Sequence, residues 1–469
     1  MNDVDVLVIG GGISGLATAW WLAREGLDVE VWEAADRPGG KIRSVRNDGY
    51  LTEQAAALLM NFRPEVTELV REAGLENVRT LRSSTAEQHR YLLHQGCLTE
   101  LPMRLGAMVL SPLWSLQAKL RLLAEPLIPA GDNAQETVRQ FITRRLGREV
   151  LEKAMDPFIA GTLASDPNQA SDAATLPRLT GLEKRYGSIT AGILMNKLLR
   201  RRTATGAELF SFRGGMETLV TTLARTPGVR LRTSHSVQAL TPLRGGWRVT
   251  ANGHTTLRAR QIVLATPAPV AARLLAPLDN ELATLLRGIR YAPLAVVHFG
   301  IDRDAVDHPL DGNGFLVPAK ERQPFNGNLW LSSLFPDRAP AGKVLLTTYL
   351  GGARRPEIVE WDDQRLIDTT LQALSPLLGI RSAPDMVRID RHRQALPLYH
   401  GAYPRRLAAI DACLRRLPGL FLEANYRGGI SIRDRIAHSR NVARQIIATA
   451  PRRAMASSTV TAAAVPQDC

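Results

Sequence analysis

The feature that most limits what this chain can fold into lies at residues 10–15. Gly10-Gly11-Gly12-Ile13-Ser14-Gly15 satisfies G-x-G-x-x-G, between a β-branched apolar run at residues 4–9 and a helix-favouring stretch at 16–24. Gly10 permits the tight turn, Gly12 lets backbone approach a pyrophosphate, and Gly15 lets the helix pack on the strand. Phosphate charge then lies against a helix N-terminus, whose first N–H groups have no partner within the helix. A second strand, residues 28–32, leads into Glu33, about 20 residues on, where a carboxylate accepts ribose hydroxyls. This β-α-β order predicts a parallel sheet. Strand, turn, helix and acid all fall in register, which a chance glycine turn does not achieve.

The chain has 469 residues, more than one core supports, so at least two domains are expected. Its net charge is +14, mostly from arginine. Such an excess suits an anionic membrane surface, an acidic substrate or nucleic acid, and equally well a compositional bias, so charge decides nothing. Nucleic acid is not an expected partner. Cys97, Cys413 and Cys469 lie far apart with no CxxC and no His/Cys ligand spacing. That excludes a disulfide framework, a redox dithiol and a structural zinc site, and no metal is expected. A reducing, cytoplasmic setting follows. Asp3 and Asp5 stand where a secretory leader carries basic residues, and no run of about 18 apolar residues exists to span a bilayer.

The residues after Glu33 distinguish between dinucleotides. Arg37-Pro38-Gly39-Gly40-Lys41 resembles the second fingerprint of the large FAD family that includes amine oxidases, phytoene desaturases and protoporphyrinogen oxidases. No second G-x-G-x-x-G occurs mid-chain, so no separate nicotinamide domain is expected. Further segments narrow the resemblance. Residues 210–216 (FSFRGGM), 157–167 (PFIAGTLASDP), 182–189 (LEKRYGSI), 334–340 (LFPDRAP) and 419–436 (GLFLEANYRGGISIRDRI) are similar, in order and spacing, to blocks of the protoporphyrinogen/coproporphyrinogen oxidase family. The likeness covers roughly residues 4–448.

By position, the resemblance implies non-covalent FAD contacts at Gly10, Gly11, Gly12, Ile13, Ser14, Gly15, Glu33, Ala34, Gly39, Gly40 and Lys41, with Lys41 reaching the phosphates. It implies others at Ala55, Ala56, Ala57, Leu58, Val237, Ile430, Ser431 and Ile432, with the helix N-terminus at 430–432 facing the pyrimidine end of the flavin. Val237 would hold the adenine through its backbone. Arg90 matches an arginine that pairs with a substrate propionate, and Gly161 a glycine close to the tetrapyrrole. Departures occur at Ala55–Leu58, at Glu423-Ala424-Asn425, at His392, and at Gly312-Asn313-Gly314. At the last, Asn313 replaces an aromatic residue that touches substrate.

The implied fold is α/β: a discontinuous Rossmann-type FAD-binding domain (1–95, 205–270 and 400–450), a mixed α+β substrate-binding domain (271–399), and a helical, membrane-associating insert (96–204). A meander is expected from 229 to 264, an antiparallel sheet from 291 to 349, and a disordered tail at 451–469. The implied activity is six-electron oxidation of protoporphyrinogen IX or coproporphyrinogen III in haem biosynthesis, with oxygen or a quinone as acceptor. No side chain is nominated as a catalytic base, because the cofactor carries the redox chemistry. Two basic apolar stretches, 105–114 with Lys119 and Arg121, and 193–202, suit an anionic bilayer on the inner face of the cell membrane. A homodimer is compatible with the sequence. Two alternatives stay open: an amine oxidase or desaturase of the same superfamily, and a flavin- or tetrapyrrole-binding protein without turnover.

Overall fold

The computed structural model describes residues 3–101, 111, 113–131, 135–198 and 208–449. The expected tail, most of the 105–114 stretch and the arginines at 200–202 lie outside these residues. The buried strand Asp3–Ile9 pairs in parallel with Val29–Trp32 on one side and Thr255–Leu264 on the other. Leu420–Leu422 adds in parallel to the end of Thr255–Leu264. Val229–Arg232, expected to open a meander, instead pairs in parallel with Val29–Trp32. The antiparallel meander starts only at Val237–Leu243 and runs through Gly246–Ala251 into Thr255–Leu264.

Helices cover both faces of this sheet, as a parallel sheet requires. Ile13–Arg24, Glu217–Ala224 and Ile432–Thr449 bury one face through Leu16, Leu219 and Ile436. Ala268–Leu275, Asn280–Arg287 and Tyr403–Leu414 cover the other through Leu275, Leu286 and Ile410. The first of these helices is buried from Ser14 to Leu22, so it has no polar face to spare and Thr18 donates back to Ser14 O.

The second sheet runs Met386–Pro397, Tyr291–Asp302, Lys343–Gly351, Phe325–Trp330, Gly312–Leu316, His89–His94 and Cys97–Glu100. The antiparallel core expected from 291 to 349 is therefore present. The chain reaches this sheet before the expected boundary at residue 95, because His89–His94 pairs in parallel with Gly312–Leu316. Side chains alternate along each strand. Val297, Phe299, Ile301, Leu346 and Trp330 pack on Leu366, Leu374 and Leu378 of the helix Asp363–Leu378. His298, Thr347 and Tyr349 consequently occupy the opposite face, which meets the residues after the strand Tyr50–Glu53. Tyr349 Oη donates to Ala55 O at 3.4 Å, and His392 Nε2 lies 2.8 Å from Gln54 O.

The insert is helical as expected, with Leu116–Leu123, Val138–Leu146, Asp156–Leu163, Pro177–Tyr186 and Ile189–Leu198 around Phe141, Ile142 and Ile159. Among the described residues no helix is long and apolar enough to cross a membrane.

A buried ion pair ties the turn at 336–338 to the strands Tyr50–Glu53 and Glu208–Phe212, which lie outside both large sheets. Arg338 is fully buried, with Nη1 3.6 Å from Glu53 Oε1 and Nη2 donating to Ser211 Oγ at 2.6 Å and to Phe212 O at 3.2 Å. Glu53 also accepts from Met216 N at 2.9 Å and from Ser44 Oγ at 2.7 Å. Burial lifts the Glu53 carboxyl to about 7 and holds the Arg338 guanidinium below its ordinary value. Removing one partner of such a pair leaves an uncompensated buried charge, which costs about 3–5 kcal/mol. Arg338→Met is expected to lower unfolding stability by about that amount. Combining it with Glu53→Gln should recover part of the loss in urea melts.

Candidate functional site

The glycine loop has the geometry its spacing implies. Gly10 adopts φ +110°, and a Cβ there would meet Ala265 O at 2.7 Å. A side chain at Gly15 would collide with the carbonyl of Gly10. Gly12 differs from both: it precedes the helix Ile13–Arg24, and nothing lies within 4 Å of the place its Cβ would take. Open space over a helix N-terminus suits a pyrophosphate. Ile13 and Ser14 supply the first helical N–H groups. The second glycine segment folds onto the first. Gly39 N donates to Gly11 O at 2.7 Å, and a Cβ on Gly40 would sit 3.3 Å from Gly12 Cα. Arg37 holds this loop shut by donating to Pro38 O, Gly40 O and Ile42 O.

Glu33 lies at the end of its strand, with Oε2 accepting from Gly11 N at 2.6 Å and Oε1 from Ala35 N at 2.9 Å. Ala34 is exposed beside it. Ser234 N donates to Ala35 O, and His235 N to Glu33 O, so the segment leading to Val237 shares this edge. The Val237 side chain is buried in the first sheet's core, which leaves only its backbone for a ligand. The His235 ring, 5.6 Å from Trp32, escaped the sequence reading. Its only signal was its place two residues before Val237.

Lys41 makes a contact the sequence did not suggest. Its Nζ donates to Ala395 O of the second sheet at 2.9 Å and lies 5.8 Å from the Tyr291 ring centroid. Burial without a carboxylate partner lowers its pKa to about 8. An ammonium has three donors, so two stay available for phosphate oxygens. Ala55, Ala56, Ala57 and Leu58 form the loop between Tyr50–Glu53 and Leu59–Asn61, anchored by Tyr349 and His392. Ile430 and Ser431 follow Gly428 (φ +69°) and Gly429 (φ +108°), and the helix starts at Ile432. Ser431 Oγ accepts from Asp434 N and donates to Asp434 Oδ2, capping the turn. The two glycine loops, Glu33 and this helix start fit an FAD.

The substrate-side residues lie where the insert meets the second sheet. Tyr91 and Leu93 pack toward the helix-covered face, whereas Leu92 packs with Leu113, Phe141 and Ile159 of the insert. Alternation puts Arg90 on the Leu92 face. Register across Leu316 and Gly327 makes that the face of Tyr349, which touches Ala55. Arg90 is partly buried, and among the described residues its guanidinium makes no hydrogen bond or ion pair. Burial, then Arg82, hold its pKa below the ordinary value. Gly161, in Asp156–Leu163, abuts the same face: a Cβ there would collide with Leu316 Cδ2. Asn313 sits on Gly312–Leu316, with its Oδ1 buried and unpartnered.

Comparison with known proteins agrees with this geometry. Residues 13–447 match the family described as flavin containing amine oxidoreductase. Protoporphyrinogen oxidase 2 of Arabidopsis thaliana is 32% identical, over 92% of this chain and 91% of that protein. Coproporphyrinogen III oxidase of Bacillus subtilis (strain 168) is 26% identical, over 92% and 95%. A crystal structure of a candidate protoporphyrinogen oxidase from Exiguobacterium sp. 255-15 superposes with a TM-score of 0.79 at 23% identity, covering 95% of this chain and 99% of that one. The chain belongs to the flavin-containing amine oxidoreductase family, within its protoporphyrinogen oxidase group, and is an FAD-dependent oxidoreductase.

Proposed function

We propose that the protein oxidises a porphyrinogen, protoporphyrinogen IX or coproporphyrinogen III, with oxygen or a quinone as final acceptor. The observation that carries this reading is Arg90, a partly buried guanidinium without a hydrogen-bond or ion-pair partner among the described residues. It stands on the sheet face that also touches the Ala55–Leu58 loop. Bound FAD supplies the hydride-accepting ring. The protein's own residues then bind and orient. Arg90 takes a propionate, because its paired N–H donors match two carboxylate oxygens in one plane. Gly161 keeps the insert close to Leu316 while adding no bulk of its own. No side chain serves as general base.

Asn313, which lacks the aromatic face that would pack on a macrocycle, favours a second reading, an amine substrate. A buried acceptor suits an N–H donor, which a porphyrinogen offers through its pyrroles and an amine through its nitrogen. Anaerobic mixing separates the two. Bleaching of the flavin by porphyrinogen supports the main reading, and bleaching by amines alone would replace it.

The insert supports peripheral membrane binding. The apolar stretch at 105–114 does not supply the exposed surface in its described part, because Leu113 and Trp114 are buried. Leu116, Leu120, Leu123 and Leu127 form an exposed stripe instead, and Ile193, Leu194 and Leu198 are exposed on a second helix. Lys119, Arg121 and Lys197 lie among them. Apolar stripes with cations suit an anionic bilayer surface. Leu120→Glu with Leu123→Glu should weaken binding to anionic vesicles by at least about tenfold, since inserting two leucines into a bilayer contributes a few kcal/mol. Sedimentation at low salt measures this, and equal binding by variant and wild type would exclude the stripe.

Gly12→Val is expected to fold normally yet be colourless, because its side chain enters open space that a pyrophosphate needs. Flavin absorbance and circular dichroism melting check both halves.

Arg90→Ala should lower kcat/KM for porphyrinogen by a factor equivalent to about 2–4 kcal/mol, with FAD content and melting near normal. Arg90→Lys should recover only part, since a point charge lacks the planar fork. Wild-type turnover in Arg90→Ala would make it an ordinary arginine.

A further inference from the structure

Three arginines from three parts of the chain converge beside the cofactor loops. Phe62 follows the strand Leu59–Asn61, and the Cζ atoms of Arg178 and Arg433 lie 3.8 and 4.1 Å from its ring centroid. Arg63 is the next residue in the chain. Arg178 comes from the insert helix Pro177–Tyr186, and Arg433 from the first turn of Ile432–Thr449, where it donates to Met60 O at 3.1 Å. Each cation–π contact is favourable, but the guanidiniums repel one another.

The counter-charge is too small. Asp434 is the carboxylate ion-paired to this group, 3.6 Å from Arg63 and 3.5 Å from Arg433, and Ser431 already donates to it. The Arg178 guanidinium makes no hydrogen bond or ion pair among the described residues. Burial and the neighbouring arginines lower the pKa of both Arg178 and Arg433. Arg63 Nε and Arg433 Nε are buried without a hydrogen-bond partner. Three five-donor groups that share one carboxylate among the described residues keep donors free for an anion with several acceptor oxygens.

We infer that Arg63, Arg178 and Arg433 form an anion site, for carboxylates or a phosphate, at the rim of the cofactor pocket. Its position follows from connectivity. Arg63 lies five residues beyond Leu58, and Arg433 directly follows Ile430, Ser431 and Ile432. Arg178 brings the insert to the same point, so an occupant bridges the insert and the flavin-binding part. Two sources share this chemistry: the carboxylates of a porphyrin, which rests on the proposed function, and the phosphate of an anionic lipid. The site is distinct from Arg90, whose charged neighbours are Arg82 and Glu87 and none of these three arginines.

The test uses FAD-loaded wild type, Arg178→Gln and Arg178→Lys. Calorimetric titration with inorganic phosphate reads the site without any porphyrin. Wild type should bind saturably, Arg178→Gln at least about tenfold more weakly, and Arg178→Lys between them, because losing a charge-assisted contact has that effect. No binding by wild type, or equal binding by all three, would overturn the site. Parallel titrations with coproporphyrin and with phosphatidic acid vesicles assign the source. A matching loss with coproporphyrin, together with displacement of porphyrin from wild type by phosphate, identifies substrate carboxylates. A loss confined to vesicles identifies lipid phosphate. If wild type binds phosphate in an Arg178-dependent way but binds no porphyrin, the site stands and the proposed substrate falls.

Discussion

Arg338 and Glu53 couple the two halves of the molecule. The strand Tyr50–Glu53 leads directly into Ala55–Leu58, so the position of Glu53 determines where that loop approaches a flavin. Arg338 reaches it from the turn at 336–338 and also binds Ser211 and Phe212, while Met216 N donates to the same carboxylate. Three segments distant in sequence thus share one buried charge pair. Coulombic attraction across 3.6 Å opposes the desolvation of both groups, which raises the Glu53 carboxyl and lowers the Arg338 guanidinium. The arrangement contributes less to net stability than to geometry. It lets the pieces meet in one register, because any other leaves a charge buried and alone.

The second anchoring comes from neutral groups. Tyr349 and His392 bind the carbonyls of Ala55 and Gln54, so the loop is held from the sheet by side chains and not by its own conformation. This explains how Ala55-Ala56-Ala57 can stand where the family has a glycine-led segment. The departures read from sequence lie in backbone whose position is set by partners elsewhere.

The difference between what was legible and what was not follows the same division. The glycine loops, Glu33 and the helix start at Ile432 were readable because each is a backbone requirement met by local residues. Gly10 and Gly15 have no room for a side chain, and Gly12 faces space. The parallel placement of Val229–Arg232 was not readable, since a short β-branched run looks the same in either pairing. Nor were Tyr349, His392 and the partner of Lys41, which depend on register between strands far apart in sequence. The leucines at 116, 120, 123 and 127 were overlooked for another reason. A helical apolar stripe has one period whether it faces a core or a bilayer, and only the folded neighbours show that nothing covers it.

Charge gains meaning only in this folded context. A net charge of +14 in an arginine-rich chain has no functional content by itself. Many of its arginines are satisfied structurally: Arg145 pairs with Glu125 in the insert core, and Arg435 pairs with Glu423 beneath the final turn. Arg90, partly buried, and Arg178, more exposed, differ in having no counter-ion among the described residues; the first stands where the insert meets the second sheet and the second where it meets the flavin-binding part. A guanidinium stripped of part of its hydration and given no carboxylate is costly in the free protein. That cost is recovered when an anionic ligand arrives, so affinity concentrates at the positions where the fold has left the donors unpaired.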